Sequence, residues 1–200
     1  MNQPISSLPA FDEESGDLNV IIETPKGSRT KFVWDEETGL FEMHKLLPAG
    51  MAFPFDYGFI PSTLTEDGDP IDVLIVSDGP LFTGCRVKAR LIGGLRGEQT
   101  PTSKPKKKEK KARKAKQSAK GRDNGMERND RLFAVPVLPT IPDVPDSMDD
   151  LGGKMLKDLE SFFETYSALE GKTFKVLRTM TRREAESFVK QSRNAGKSKG

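Results

Sequence analysis

The 200-residue chain predicts an α+β fold, a small β-barrel with helices packed against its outside. Three observations predict it. Short segments of strand character dominate the chain as far as Val137. Between Met148 and Leu169 the apolar period changes from two to steps of three and four. Gly, Pro, Asp and Asn sit between the strand segments, where turns are needed.

The elements follow in order. Residues 1–17 are polar and turn-rich and read as a flexible N-terminal arm, with a single domain over 18–200. "LNVIIET" (Leu18 to Thr24) and "TKFVWD" (Thr30 to Asp35) read as strands, and "EETG" as a hairpin-type turn into "LFEM". "IDVLIV" is almost entirely apolar, as in a strand buried on both sides. "CRVKARLIGGL" alternates, with Val87, Ala89 and Leu91 on one face and Arg86, Lys88 and Arg90 on the other. "RLFAVPV" is a further strand, ended by Pro136, Pro139, Pro142 and Pro145. Met148, Leu151, Met155, Leu159, Phe162, Tyr166 and Leu169 form the stripe of an amphipathic helix. Asp146 or Ser147 is its expected N-cap and Gly171 its stop. "TFKVL" is a last strand, and "TRRE" (Thr181 to Glu184) a capping box opening a final helix.

The net charge of +2 conceals a division. From Lys104 to Arg122 there are 11 Lys and Arg against one acid, Glu109, so this run carries +10 and the rest of the chain −8. The stretch from about Glu98 to Gly125 has almost no apolar side chain larger than alanine. A disordered basic insertion is expected over about 100–126. No segment is long and apolar enough to span a membrane, the N-terminus has no signal-peptide pattern, and Cys85 has no disulfide partner. The expected compartment is the cytosol.

The densest chemistry is "TEDGDPIDVLIV", where Asp67, Asp69 and Asp72 crowd the mouth of a buried strand. Unit charges about 4 Å apart repel by roughly 1 kcal/mol in water and about 4 kcal/mol at an effective dielectric near 20. Such a cluster is either a solvated Asp-Gly turn or a site for a hard divalent cation. The spacing excludes an EF-hand. Lys31, Lys45 and Arg131 lie in or beside strands and are the candidate anion holders. Tyr57 falls in a Gly- and Pro-punctuated loop, Tyr166 on the helix stripe, and packing is the simplest role for each. His44 is the sole histidine, which excludes a two-His metal site, and a Cys85–His44 dyad has no local support.

"EDGDPIDVLI" resembles the signature of the soluble family I inorganic pyrophosphatases, and "VIIETP", "FPFDYGFIPSTL", "RLFAVPV" and "FFETYSALEGK" resemble further segments of that family in the same order. The resemblance covers roughly residues 18–100 and 127–176. It implies a closed five-stranded barrel of OB type with flanking helices. It implies metal-dependent hydrolysis of pyrophosphate to two orthophosphates, with several Mg²⁺ ions, or Mn²⁺ or Zn²⁺ in their place. Asp67, Asp72, Glu23, Asp130 and Glu98 would serve the metals. Asp69 would be the general base, with Tyr57 beside it. Lys31, Lys45, Arg131 and Tyr166 would hold the phosphates. The resemblance also implies a homo-oligomer, a hexamer as in bacterial relatives or a dimer.

The chain departs from the family pattern at several positions. Val33 replaces a glutamate, Lys45 an arginine, Arg131 a lysine and Ser167 a lysine. Asn129 stands where an aspartate is expected, with Asp130 shifted by one, and Glu98 or Gln99 near another. The competing reading is an OB-type binding module for nucleic acid or polyphosphate, served by the basic insertion.

Overall fold

The structure, a computed structural model, describes residues 5–65, 68–100, 125–139 and 144–197, with side chains at all of these but 6 and 193–197. Asp67 and nearly all of the basic insertion lie outside the described residues. Nine strands occur among the described residues: β1 (Leu18–Thr24), β2 (Thr30–Asp35), β3 (Leu40–Leu46), β4 (Asp56–Ile60), β5 (Ile71–Ile75), β6 (Arg86–Gln99), β7 (Glu127–Arg128), β8 (Arg131–Pro136) and β9 (Phe174–Met180). Two α-helices, α1 (Gly152–Ala168) and α2 (Arg182–Lys197), pack outside them.

Five strands close on themselves in the order β1–β4–β5–β8–β6, with β6 returning to pair with β1. All pairings in the ring are antiparallel except β5 with β8. β9 adds to β6, and β2 and β3 form a separate hairpin. Alternation fills the ring. Val20, Ile22, Ile60, Ile71, Val73, Ala89, Leu91, Leu132 and Ala134 form the inner cluster, all nearly inaccessible. Ala185 and Val189 of α2 join that cluster. The alternate side chains Tyr57, Leu74, Phe133 and Val135 point outward into a second cluster, covered by Leu159 and Phe163 of α1. "IDVLIV" is all apolar because both of its faces are buried.

One seam of the ring is unusually tight. β1 approaches β4 so closely that a Cβ on Gly58 would lie 2.2 Å from the Ile21 carbonyl oxygen. Opposite Gly58 the register slips: Ile22 faces Gly58 and Thr24 faces Tyr57, leaving Glu23 as the extra residue of a bulge.

Three expectations are corrected. Tyr57 lies in strand β4, not a loop, because Asp56–Ile60 pairs on both sides, with β1 and with β5. The N-terminal arm is tied down in its second half. Ala10 is fully buried, Asn19 donates to Pro9 and Ala10 carbonyls at 2.9 Å, and Asp12 pairs with Lys88 at 3.0 Å. The long helix starts late. Gly152 adopts φ +76°, separating a 3₁₀ turn (Asp149–Leu151) from α1, and Asp150 accepts from the Asp146 and Ser147 amides. Met155 and Leu169 of the expected stripe are exposed, whereas Phe163 and Ser167 are buried. The stop is as expected: Gly171 at φ +69° donates to Ala168 and Lys172 to Ser167, a Schellman motif. The Thr181–Glu184 capping box is also formed, with the Thr181 amide 2.8 Å from the Glu184 carboxylate.

The seam generates a prediction. Gly58→Ala places a methyl against backbone that cannot move without opening the ring. We expect a loss of about 3 kcal/mol, the upper part of the range for overpacking. Urea denaturation checks it, and a change below about 0.5 kcal/mol, typical of a neutral surface substitution, would show that the seam relaxes.

Candidate active site

The outward positions of the ring assemble the site. On β5, Asp72 lies two residues before outward-facing Leu74 and therefore shares its face. On neighbouring β8, Arg131 lies two residues before Phe133, which is paired with Leu74. On β4, Tyr57 lies directly opposite Leu74. The bulge on β1 brings Glu23 to the same side. Four chemically distinct side chains thus meet because strand alternation and one bulge leave them no other face.

Asp72 is the hub. The Tyr57 hydroxyl donates to its Oδ2 at 3.1 Å, and the Arg131 guanidinium pairs with the same oxygen. Burial pushes the Tyr57 phenol well above its ordinary pKa, so it stays protonated as a donor. Glu23 accepts from the Trp34 amide at 2.8 Å. Burial, with Asp72 and Asp69 nearby, pushes its carboxyl up to about 7, against the opposing pull of the Trp34 amide and Lys31. The β2–β3 hairpin is fastened to β1 beside this point, through Thr24 Oγ1 and both backbone groups of Phe32 at 3.0 Å.

The hairpin brings two ammonium groups. Lys31 and Lys45 are directly paired across β2 and β3. Lys31 Nζ lies 5.9 Å from the Tyr57 ring centroid and 5.8 Å from that of Tyr166, and Lys45 Nζ lies 3.6 Å from the Tyr166 ring. The ring of Tyr57 also lies 5.8 Å from Arg131 Cζ. Burial raises the Tyr166 phenol, and its Oη is buried with no hydrogen-bond partner. After burial, the charges acting on that hydroxyl are Glu170 first, then Arg131, Asp72 and Glu23. A buried orphan hydroxyl costs free energy unless a ligand oxygen completes it.

Glu170, at the end of α1, accepts from Lys45 at 2.5 Å and from Lys172 at 2.9 Å. Burial works to raise its carboxyl, but the two lysines outweigh it and hold it at about 2. Burial also lowers the Lys45 ammonium, only partly countered by Glu170.

The aspartate turn is closed by Thr65, whose amide and hydroxyl donate to the Asp69 carbonyl at 2.9 and 2.8 Å, with Gly68 at φ +95°. Asp69 is exposed at the rim. No group of three or more His, Cys, Asp or Glu side chains close enough to hold a cation occurs among the described residues, a set that omits Asp67. Even so, the donors fit a hard divalent cation. Glu23, Asp69 and Asp72 are all oxygen donors, and a cation would offset the burial, and the smaller repulsion from Asp72 and Asp69, that raise the Glu23 carboxyl.

Two expected metal ligands are not brought here. Asp130 lies immediately before β8, one residue from Arg131, and its side chain turns away from the site. Its side chain accepts from Arg128 Nε at 2.6 Å and from the Gly97 amide at 3.2 Å, and lies 3.8 Å from Arg96. Glu98 pairs with exposed Lys175 and with Arg128, on the face of β6 away from Phe174 of the outer cluster. Glu170 and Lys172 were not singled out from sequence. Their signal was the helix stop at Gly171, which sets one on either side of it. Asp56 was also passed over. It is fully buried and accepts from the Lys26 and Leu81 amides at 2.9 Å and from Ser77 at 3.0 Å, a scaffold role.

Comparison with known proteins agrees with this geometry. The family model described as inorganic pyrophosphatase matches residues 20–197. An inorganic pyrophosphatase of Ralstonia nicotianae is 40 % identical over 164 residues, spanning 80 % of this chain and 79 % of its own. One of Synechocystis sp. is 32 % identical over 173 residues, 86 % and 87 % of the two chains. The crystal structure of the Thermus thermophilus inorganic pyrophosphatase superposes with a TM-score of 0.78 at 31 % identity, covering 98 % of this chain and 99 % of that one. With the family match running through every strand of the ring, and the carboxylates, cations and phenols converging outside it, the chain belongs to the inorganic pyrophosphatase family.

Proposed function

We propose that the protein hydrolyses inorganic pyrophosphate to two orthophosphates. The observation that carries this reading is the meeting of Lys31, Lys45 and Arg131 with Glu23, Asp69 and Asp72 around two buried phenols. Pyrophosphate hydrolysis is mainly a matter of positioning and charge neutralisation, and this site offers cations for the phosphates beside carboxylates for metals. Family membership favours hydrolysis over the nucleic-acid-binding reading.

Glu23, Asp69 and Asp72, with Asp67 of the same turn, would hold Mg²⁺, with Mn²⁺ or Zn²⁺ as substitutes. The chemistry divalent cations supply to such a site is neutralisation of the polyanion and acidification of water. The chain's own groups do the rest. Asp69, at the exposed rim, takes the proton of the attacking water. Arg131 lies against Asp72 and Tyr57, where it meets a phosphate oxygen while staying paired. Lys31, Lys45 and the orphan hydroxyl of Tyr166 orient the remaining oxygens. Tyr57 keeps Asp72 in one rotamer through its hydroxyl. The cytosol suits a chain with one cysteine, and the exposed Leu40, Met43 and Leu46 of β3 support a homo-oligomer, a hexamer or a dimer.

The roles separate in three experiments. Phosphate release from pyrophosphate with Mg²⁺ tests the activity itself, and absence of turnover with Mg²⁺, Mn²⁺ and Zn²⁺ would overturn it. In Asp69→Asn the fold is retained and kcat falls about 10²–10⁴-fold, the usual contribution of a positioned base; near-wild-type kcat would remove Asp69 from that role. Asp72→Ala raises the Mg²⁺ concentration for half-maximal rate, whereas Asp130→Asn leaves it unchanged and lowers stability by about 1–3 kcal/mol, as a loosened buried contact does. Equal effects of the two on the Mg²⁺ titration would mean that Asp130 also reaches the metals.

The basic insertion has a readable root. Thr100 donates to the Thr173 carbonyl and accepts from the Thr173 amide, both at 3.0 Å, one residue beyond Lys172. Gln99 and Glu127 are directly paired, so a short connection closes the hairpin. Replacing residues 102–124 with a Gly/Ser linker therefore keeps kcat. It lowers kcat/KM at low salt, and the difference fades as ions screen charge over about 10 Å at 0.1 M. Identical kcat/KM at every ionic strength would show that the +10 run does not steer substrate.

A further inference from the structure

At the end of α1, Glu170 sits where a carboxylate is electrostatically out of place. It follows the C-terminal end of the helix, whose dipole favours cations. The Schellman motif around Gly171 sets Glu170 and Lys172 on either side of the turn, and Lys172 takes Glu170 Oε2 at 2.9 Å. The other oxygen, Oε1, reaches across to Lys45 on β3 at 2.5 Å. That second contact joins residues 125 positions apart in the chain and no other hydrogen bond described here ties Lys45 to α1. Lys45 is held on a further side by the Tyr166 ring, 3.6 Å from its nitrogen.

We infer that Glu170 is a positioning residue that aims Lys45 at the substrate, an inference that rests on the pyrophosphatase reading above. Lysine is a point charge on a flexible stem, with three N–H groups that rotate freely. A guanidinium arrives with its fork already rigid; an ammonium does not. Here the carboxylate of Glu170 takes one N–H and the π face of Tyr166 faces the group, so the remaining donor capacity points in a restricted set of directions. Lys31 lies opposite Lys45 across the hairpin, and Glu170 also offsets the repulsion between the two. Glu170 touches no substrate in this scheme. It acts through Lys45, and its removal loosens ground-state binding rather than the bond-breaking step.

The alternative is that Glu170 serves Lys172 and the helix end only. The two are separated by a cycle on the full-length protein with Mg²⁺ and pyrophosphate: wild type, Glu170→Gln, Lys45→Ala and the double variant. We expect Glu170→Gln to raise KM about 5-fold or more with kcat within about 2-fold, the signature of lost uniform binding. In the Lys45→Ala background the same substitution should change KM by less than about 2-fold, because its partner is gone. Lys45→Arg added to Glu170→Gln should return KM to within about 3-fold of wild type, since the arginine fork supplies its own rigidity. An equal effect of Glu170→Gln in both lysine and alanine backgrounds, or no effect on KM at all, overturns the inference. If wild type shows no turnover, the activity fails instead, and the Lys45–Glu170 coupling is still read from the calorimetric Kd for pyrophosphate across the same variants.

Discussion

The seam between β1 and β4 is the constraint on which the site depends. The Ile21 carbonyl sits where a Gly58 side chain would be, so the two backbones meet without intervening atoms. That approach lets the five-strand ring close at small radius around Val20, Ile22, Ile71 and Val73. Beside it lies the bulge that takes Glu23 out of the regular alternation of β1. The same pair of strands therefore closes the core and brings the first carboxylate to the chemistry.

The site combines paired charges, Arg131 with Asp72 and Lys45 with Glu170, with like charges held close together. Lys31 faces Lys45, and Glu23 is repelled by Asp72 and Asp69. The Tyr166 hydroxyl is buried without a partner. Each of these disfavours the folded state by itself, and a packed apolar core on both faces of β5 makes them tolerable. Under the proposed activity, a polyanion would satisfy the lysines and the phenol, and cations the carboxylates. The arrangement thus makes sense as a receptor for both together, and as a poor place for either alone.

One position in the sequence decides which way a charged side chain points. Asp130, immediately before β8, turns away from Arg131 and the site and is a partner for Arg96 and Arg128. On the opposite side of the site, Lys45 is restrained by the Glu170 carboxylate and the Tyr166 ring. Two charged residues thus end in different settings, one outside the site and one held within it.

Much of this was legible in the sequence because it is local. The boundaries of β1 and β2, the Gly171 stop and the Thr181–Glu184 capping box are set by side-chain alternation and turn chemistry within a few residues. The aspartate turn announced itself by its crowding, and the family resemblance supplied roles for Lys31, Lys45, Tyr57, Arg131 and Tyr166. What the sequence could not decide was direction and proximity. Tyr57 read as loop because Pro54, Gly58 and Pro61 punctuate its segment, while the pairing with β1 and β5 that makes it a strand is nonlocal. The stripe of α1 was misaligned because Gly152 takes a left-handed conformation and restarts the helix, shifting burial to Phe163 and Ser167. Glu170 carried no local signal, since its partner Lys45 is brought to it only when the β2–β3 hairpin folds against the helix end. Local patterns determine which residues form a strand or a turn; only the closed ring, with its pairing registers and its bulge, decides which of their side chains meet.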